Sequence, residues 1–239
     1  MVLPKRISPC PIAEAICEIR FEANFPDDAI FGIVYNAFRD EYGDFEKLPI
    51  LQLPEQLRSS DPNLIFRPNY KSMKDQFQLQ IGPKVFSCIN VGQYAGWEKF
   101  SEYIYSTFDK FEQLKIIKSI VRVGLRYINV FSDLEIYSNS NLQFLLDGSP
   151  IETVKSEVHF ELKKESCLLN LRVLNNSEIQ IAGKKVSGSI IDIDTALAEF
   201  PIDSLEKLKP LINGSHECEK KLFFNLLSNS FIQKLNPEY

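Results

Sequence analysis

Residues Ala13 to Phe21 alternate, with Ala13, Ala15, Cys17, Ile19 and Phe21 on one side and Glu14, Glu18 and Arg20 on the other. A period of two is that of a strand with one buried face, because successive side chains leave the backbone in opposite directions. After Pro26 and Asp27 the period changes: Ile30, Val34 and Phe38 recur, backed by Ile33 and Ala37, until Gly43. That spacing predicts an amphipathic helix. A connection bearing Pro49, Pro54, Pro62 and Pro68 reads as an ordered excursion over the surface. Alternation returns over Phe77 to Ile81 and Val85 to Val91, where Gly82-Pro83 suits the turn of an antiparallel hairpin.

From Gly96 onward, Trp97, Phe100, Ile104, Phe108 and Phe111 predict a second amphipathic helix that buries an aromatic stripe. Val121 to Val130 then reads as a strand with Val121, Val123, Leu125 and Tyr127 on one face and Arg122 and Arg126 on the other. The order strand, helix, strand pair, helix, strand is that of a ferredoxin-like βαββαβ sandwich with both helices on one sheet face. Further strands are expected at Val154 to Leu162, Cys167 to Val173, Glu178 to Ala182 and Ser189 to Thr195, with turns at Asn175-Asn176 and Gly183. Two helices close the chain, from about Ser204 to Ile212 and from about Ser215 through Cys218, Leu222, Phe223, Leu226 and Leu227. The expected fold is α+β. Residues 1–131 form the ferredoxin-like half, and residues 132–239 form an antiparallel strand-rich half with C-terminal helices, packed on the first.

At 239 residues and 44% hydrophobic content the chain can build a core without staples. No apolar stretch reaches the roughly 18 residues that span a bilayer, and Met1 to Arg6 has no signal-peptide core, so a cytoplasmic protein is expected. The five cysteines, Cys10, Cys17, Cys88, Cys167 and Cys218, are odd in number and contain no CxxC pair, which reads as isolated thiols. A net charge of −5 offers no bulk positive field for nucleic acid. The pairs Lys163-Lys164, Lys184-Lys185 and Lys220-Lys221 are too short to supply one and read as solvated surface.

Several strings recur together: Ile12-Ala13-Glu14-Ala15, Glu18-Ile19-Arg20-Phe21, Gln80-Ile81-Gly82-Pro83, Tyr94-Ala95-Gly96-Trp97, Gly124-Leu125-Arg126-Tyr127-Ile128-Asn129 and Phe223-Phe224-Asn225. In this order, nearly end to end, they resemble a sporadically distributed prokaryotic protein family of unknown function. The resemblance implies no activity, cofactor or catalytic residue. A sporadic distribution implies horizontal transfer, as is typical of genes in defence, toxin-antitoxin or mobile-element settings.

The strand alternation places Glu14, Glu18, Arg20, Gln78, Gln80, Arg122 and Arg126 on the face opposite the helices. That face is either a binding surface or a salt-bridged layer roofed by the second half, and the roofed layer is the favoured reading. It offers charge rather than the aromatic platforms of an RNA-binding sheet. Arg126, with Tyr127 and Asn129, is the sharpest local string; its planar fork suits a carboxylate or phosphate, and Glu14 or Glu18 is the expected internal partner. The candidate binding set is Glu14, Glu18, Arg20, Arg122, Arg126 and Asn129.

Asp192 and Asp194 share a strand face, as do His159 and Glu161, and together they could ligate Mg²⁺ or Mn²⁺, although such spacing is common on solvent-facing sheets. With two histidines, no GxSxG, no GxxxxGK[ST] and no GxGxxG, neither nucleophilic catalysis nor a phosphate or dinucleotide loop is supported, and no cofactor is expected. Trp97 reads as core rather than as an interface anchor. The C-terminal helix is a possible seam for homo-oligomers. The expectation is a non-enzymatic binding or interaction protein with a protein partner encoded by an adjacent gene, acting as a neutralising or sensing component of a prokaryotic defence or toxin-antitoxin system. The alternative is a metal-dependent nucleic-acid-processing enzyme using His159, Glu161, Asp192 and Asp194.

Overall fold

A computed structural model describes residues 2–151, 155–164, 167–181, 184–197 and 206–239. Its elements are β1 (Ile12–Ala23), α1 (Asp27–Tyr42), β2 (Glu46–Lys47), α2 (Glu55–Ser60), β3 (Tyr70–Lys74), β4 (Phe77–Gly82), β5 (Val85–Val91), α3 (Trp97–Gln113) and β6 (Ile117–Ser132). There follow β7 (Leu145–Leu146), β8 (Ser149–Pro150), β9 (Ser156–Lys164), β10 (Cys167–Ile181), β11 (Lys184–Leu197), α4 (Leu208–Leu226) and α5 (Asn229–Lys234). Short 3₁₀ turns lie at Pro49–Gln52 and Tyr137–Asn139.

The chain does not open with a ferredoxin-like βαββαβ unit, and the expected fold class is corrected accordingly. Between α1 and β4 the proline-bearing segment contributes β2, a 3₁₀ turn, α2 and β3, and β3 pairs with β4. Nor does the sheet end at β6, whose outer edge pairs with β11 from Ser132↔Gly188 to Val123↔Leu197. The product is one antiparallel nine-stranded sheet in the order β2-β3-β4-β5-β1-β6-β11-β10-β9. Hydrophobic alternation reports which face of a strand is buried; it is silent about which neighbour the strand takes at its edge. That is why the extensions at both edges escape a pattern-based reading.

Odd-numbered residues face the helices over 13–23 of β1, 77–81 of β4, 123–131 of β6, 167–173 of β10 and 191–195 of β11, as do even-numbered ones of β5. Before Arg122 the register shift against β1 turns the alternation over, so Val121, expected on the buried face, is exposed and Ile120 packs against the core instead. Cys17, Ile19, Leu79, Ile81, Phe86, Cys88, Val123 and Leu125 meet Ile30, Val34 and Phe38 of α1 and Phe100, Ile104 and Phe108 of α3. Leu169, Leu171, Val173, Ile191 and Ile193 meet Leu222, Phe223 and Leu226 of α4 and Phe231 of α5. The two clusters lie side by side on the same sheet face, and Leu208 and Ile212 of α4 belong to the first.

Three further expectations change. Helices before and after Gly214 merge into α4, because Leu208, Ile212, Ser215, Glu219 and Leu222 form one buried face. That packing outweighs the roughly 1 kcal/mol helix penalty of a glycine. Asn175-Asn176 does not turn the chain. It forms an irregularity within β10 where the register to β11 shifts between Leu174 and Ser177, and Glu178 onward continues the same strand. Asn175 is buried there, its Oδ1 accepting from the Ile136 N–H and the Ser189 hydroxyl. Val154, Ala182, Gly183 and Ser204 lie outside the described residues. Finally, the cysteines are not all thiols: Cys167 and Cys218 form a disulfide that ties the start of β10 to α4, while Cys10, Cys17 and Cys88 are free. A spacing of 51 residues gave no local signal for this bond. No described helix is long and apolar enough to cross a membrane.

Candidate functional site

The helices α1, α3, α4 and α5 pack on one face of the large sheet, so among the described residues no helix packs in these clusters from the opposite face. The second half was expected to roof this face. It instead prolongs the sheet sideways through β11, β10 and β9, so the charged layer continues across strands that are remote in sequence. The face presents Gln78 and Gln80 on β4, Glu14, Glu18 and Arg20 on β1, and Arg122 and Arg126 on β6. It continues with Asp192 and Asp194 on β11, Arg172 on β10, and Glu157, His159 and Glu161 on β9.

Cross-strand proximity dictates how these charges are satisfied. Arg126 donates from Nε to Asp192 Oδ1 at 2.7 Å and from Nη2 to Asp192 Oδ2 at 2.6 Å, a planar fork on a carboxylate. Asp192, rather than the expected Glu14 or Glu18, is therefore its hydrogen-bonded partner, since β11 lies directly beside β6. That bond holds the Arg126 guanidinium above its ordinary pKa. Arg122 places Nη2 2.7 Å and 3.0 Å from the two carboxylate oxygens of Asp194 and Nη1 3.4 Å from Glu18 Oε1. Arg20 Nε donates to the same Glu18 oxygen at 2.8 Å, and its guanidinium lies 5.2 Å over the Phe66 ring. Arg172 donates to Glu157 Oε1 at 2.6 Å.

Gly124 lies between Arg122 and Arg126 on this face, and a side chain there would occupy the space taken by the Arg122 guanidinium. The missing Cβ lets that guanidinium lie back against the strand and reach Asp194. This gives the glycine of the Gly124-Leu125-Arg126 string a physical reason. The glutamines are also ordered, Gln80 Nε2 donating to Gln78 Oε1 at 2.6 Å.

Asn129 does not join this face. It points to the helix side, is buried, and donates from Nδ2 to the Ile191 carbonyl. Its odd register number already separates it from Arg126. The four candidate metal ligands are not assembled either: Asp192 and Asp194 are each held by an arginine, and His159 and Glu161 lie on β9 with β10 in between. Among the described residues no group of three or more His, Cys, Asp or Glu side chains could hold a metal ion.

A second polar cluster, on the helix side, was not anticipated. The Trp97 and His216 rings stack with centroids 4.0 Å apart, His216 Nδ1 lies 3.0 Å from the Tyr127 hydroxyl, and Tyr94 shares that hydroxyl at 3.3 Å. Burial lowers the His216 pKa to about 4. Three residues further along α4, buried Glu219 accepts from the Thr195 hydroxyl, and desolvation raises its carboxyl well above the ordinary value. Its Oε2 and the Ser215 hydroxyl have no hydrogen-bond partner among the described residues. In sequence, His216 and Glu219 look like any helix polar positions, and only the run through Gly214 turns them inward. A separate pocket of about 260 Å³ lies between α1, α2 and the β4 end, lined by Phe31, Arg58, Arg67, Asn69, Tyr70 and Pro83 among others.

No protein-family model and no curated protein sequence matches this chain, so the resemblance to the sporadically distributed prokaryotic family rests on the strings quoted for it.

Proposed function

We propose that this protein is a non-enzymatic interaction protein that holds a protein partner against the helix-free sheet face. One observation carries the choice of partner: all four arginines of the face, Arg20, Arg122, Arg126 and Arg172, are paired with carboxylates of the same face. A nucleic-acid surface needs cations available to phosphate. A layer of matched charges of both signs suits a protein surface with the complementary mosaic, where orientation and specificity come from placing each charge against its opposite. Fixing the side chains in advance lowers the ordering cost of association.

The setting, a neutralising or sensing component of a prokaryotic defence or toxin-antitoxin system, is supported only by the resemblance. Within it, the partner is the product of an adjacent gene. The test is co-purification of this chain with the products of its neighbouring genes, repeated with Arg20→Ala and Arg126→Met. Recovery of one partner that falls at least about tenfold in the variants, with the fold intact by circular dichroism, supports the reading. Unchanged recovery with only altered thermal stability would reduce the arginines to internal ion pairs and remove it.

A further inference from the structure

The two edges of the sheet are unlike. One ends in β2, only 2 residues long, whereas the other ends in β9, with 9 residues and no strand on its outer side among the described residues. Long edge strands are templates for further pairing, and proteins ordinarily blunt them with prolines, bulges or inward-pointing charges. β9 has no proline and pairs with β10 without a register shift from Cys167↔Lys164 to Asn175↔Ser156. At its centre Phe160 is 38% exposed, on the side where Val158 and Leu162 pack against the α4 cluster.

The residues of β9 are complementary to themselves when reversed. Laid antiparallel on a second copy about Phe160, the strand sets Glu157 against Lys163 and His159 against Glu161 on the polar face. On the helix face it sets Val158 against Leu162 and Phe160 against Phe160. Directly opposed side chains in an antiparallel pair stand on the same face, so both faces of the sheet continue unbroken into the partner. Sliding the partner by two residues, the smallest slip that keeps the faces matched, sets Glu157 against Glu161 in one direction and Glu161 against itself in the other. Only the register centred on Phe160 pairs all nine residues and sets Glu157 against Lys163 and Glu161 against His159, with no like charges opposed.

The geometry points to a second copy of this chain as the occupant of the β9 edge, giving a two-fold dimer with one continuous eighteen-stranded sheet, twice the nine of one chain. The seam is at β9 and not at the C-terminal helix, whose apolar face is spent on its own sheet through Leu222, Phe223 and Leu226. Main-chain bonds supply the attraction and the side-chain mosaic supplies the register, as in strand addition generally.

Sedimentation equilibrium of the full chain at micromolar concentration is expected to give twice the 27.5 kDa chain mass. Glu157→Lys opposes lysine to lysine at both ends of the seam, and Lys163→Glu opposes glutamate to glutamate. Each variant alone is expected to weaken self-association by about tenfold, from two like-charge pairs. An equimolar mixture of the two restores complementary charges and is expected to return the dimer as a heterodimer, detected by tagging one of them. Both positions are solvent-exposed, and unchanged circular dichroism confirms that each variant folds. A wild-type chain that stays monomeric, a dimer indifferent to both substitutions, or variants that weaken it without recovery on mixing would each overturn the inference.

Discussion

At the scale of single residues, the fork between Arg126 and Asp192 is the sharpest feature of the helix-free face. Asp192 is 7% exposed, so truncating its partner leaves a desolvated carboxylate rather than merely removing an attraction. Arg126→Met is expected to lower stability by about 2 kcal/mol, less than for a fully buried pair because the arginine side chain is 40% exposed. Arg126→Met/Asp192→Leu is expected to recover most of that loss, and urea denaturation of both variants measures the difference. The residues under α4 make a prediction about pH. Between about 4 and 6.5 the unfolded chain binds a proton at His216 that the folded chain refuses, so stability falls as pH drops through this window, by about 3 kcal/mol in all. Glu219 works in the other direction. Its folded pKa is raised, so the folded chain holds a proton that the unfolded chain releases above about 4.5, and stability falls as pH rises from there. Melting curves from pH 4 to 9 are expected to show a flatter acid limb in His216→Phe and a flatter alkaline limb in Glu219→Gln, since the amide keeps the shape of the protonated carboxyl without its titration.

At the scale of elements, α4 binds the two hydrophobic clusters to each other and is itself tied to β10 by the Cys167–Cys218 disulfide. Closing 51 residues of chain removes unfolded-state entropy worth about 4 kcal/mol. Cys218→Ser, or reduction of the wild-type protein, is expected to lower the melting temperature by several degrees, and the reductant is expected to have no effect on the variant. Several elements, strands and helices alike, were legible in advance. β1, α1, β4, β5 and α3 fall where the alternation of Ala13 to Phe21, the spacing of Ile30, Val34 and Phe38, the Gly82-Pro83 turn and the aromatic stripe after Gly96 place them. The misreadings share a cause. Gly214 and Asn175-Asn176 are local breakers by propensity, and both lie inside long elements because tertiary burial of α4 and the buried bonds of Asn175 outweigh that propensity.

At the scale of the whole molecule, the position of β11 beside β6 decides what the acidic pair of β11 does. Asp192 and Asp194 spend their oxygens on Arg126 and Arg122, and His159 and Glu161 lie beyond β10. Calorimetric titration of the purified protein with Mg²⁺ or Mn²⁺ at millimolar concentration is accordingly expected to show no stoichiometric site; a bound ion would instead mean that the arginine forks open. Alternation within the chain determined the two faces of each strand and hence the separation of Glu14, Glu18, Arg20, Arg122 and Arg126 from the apolar core, because side-chain direction along a strand is a local property of the backbone. Tertiary structure alone decided that the second half lengthens the sheet instead of covering it, which carboxylate each arginine takes, and that Cys167 meets Cys218. The first two outcomes depend on which strand edges pair across more than fifty residues of chain, and edge pairing leaves no periodic mark in the residues of either strand; the third depends on α4 packing beside the start of β10.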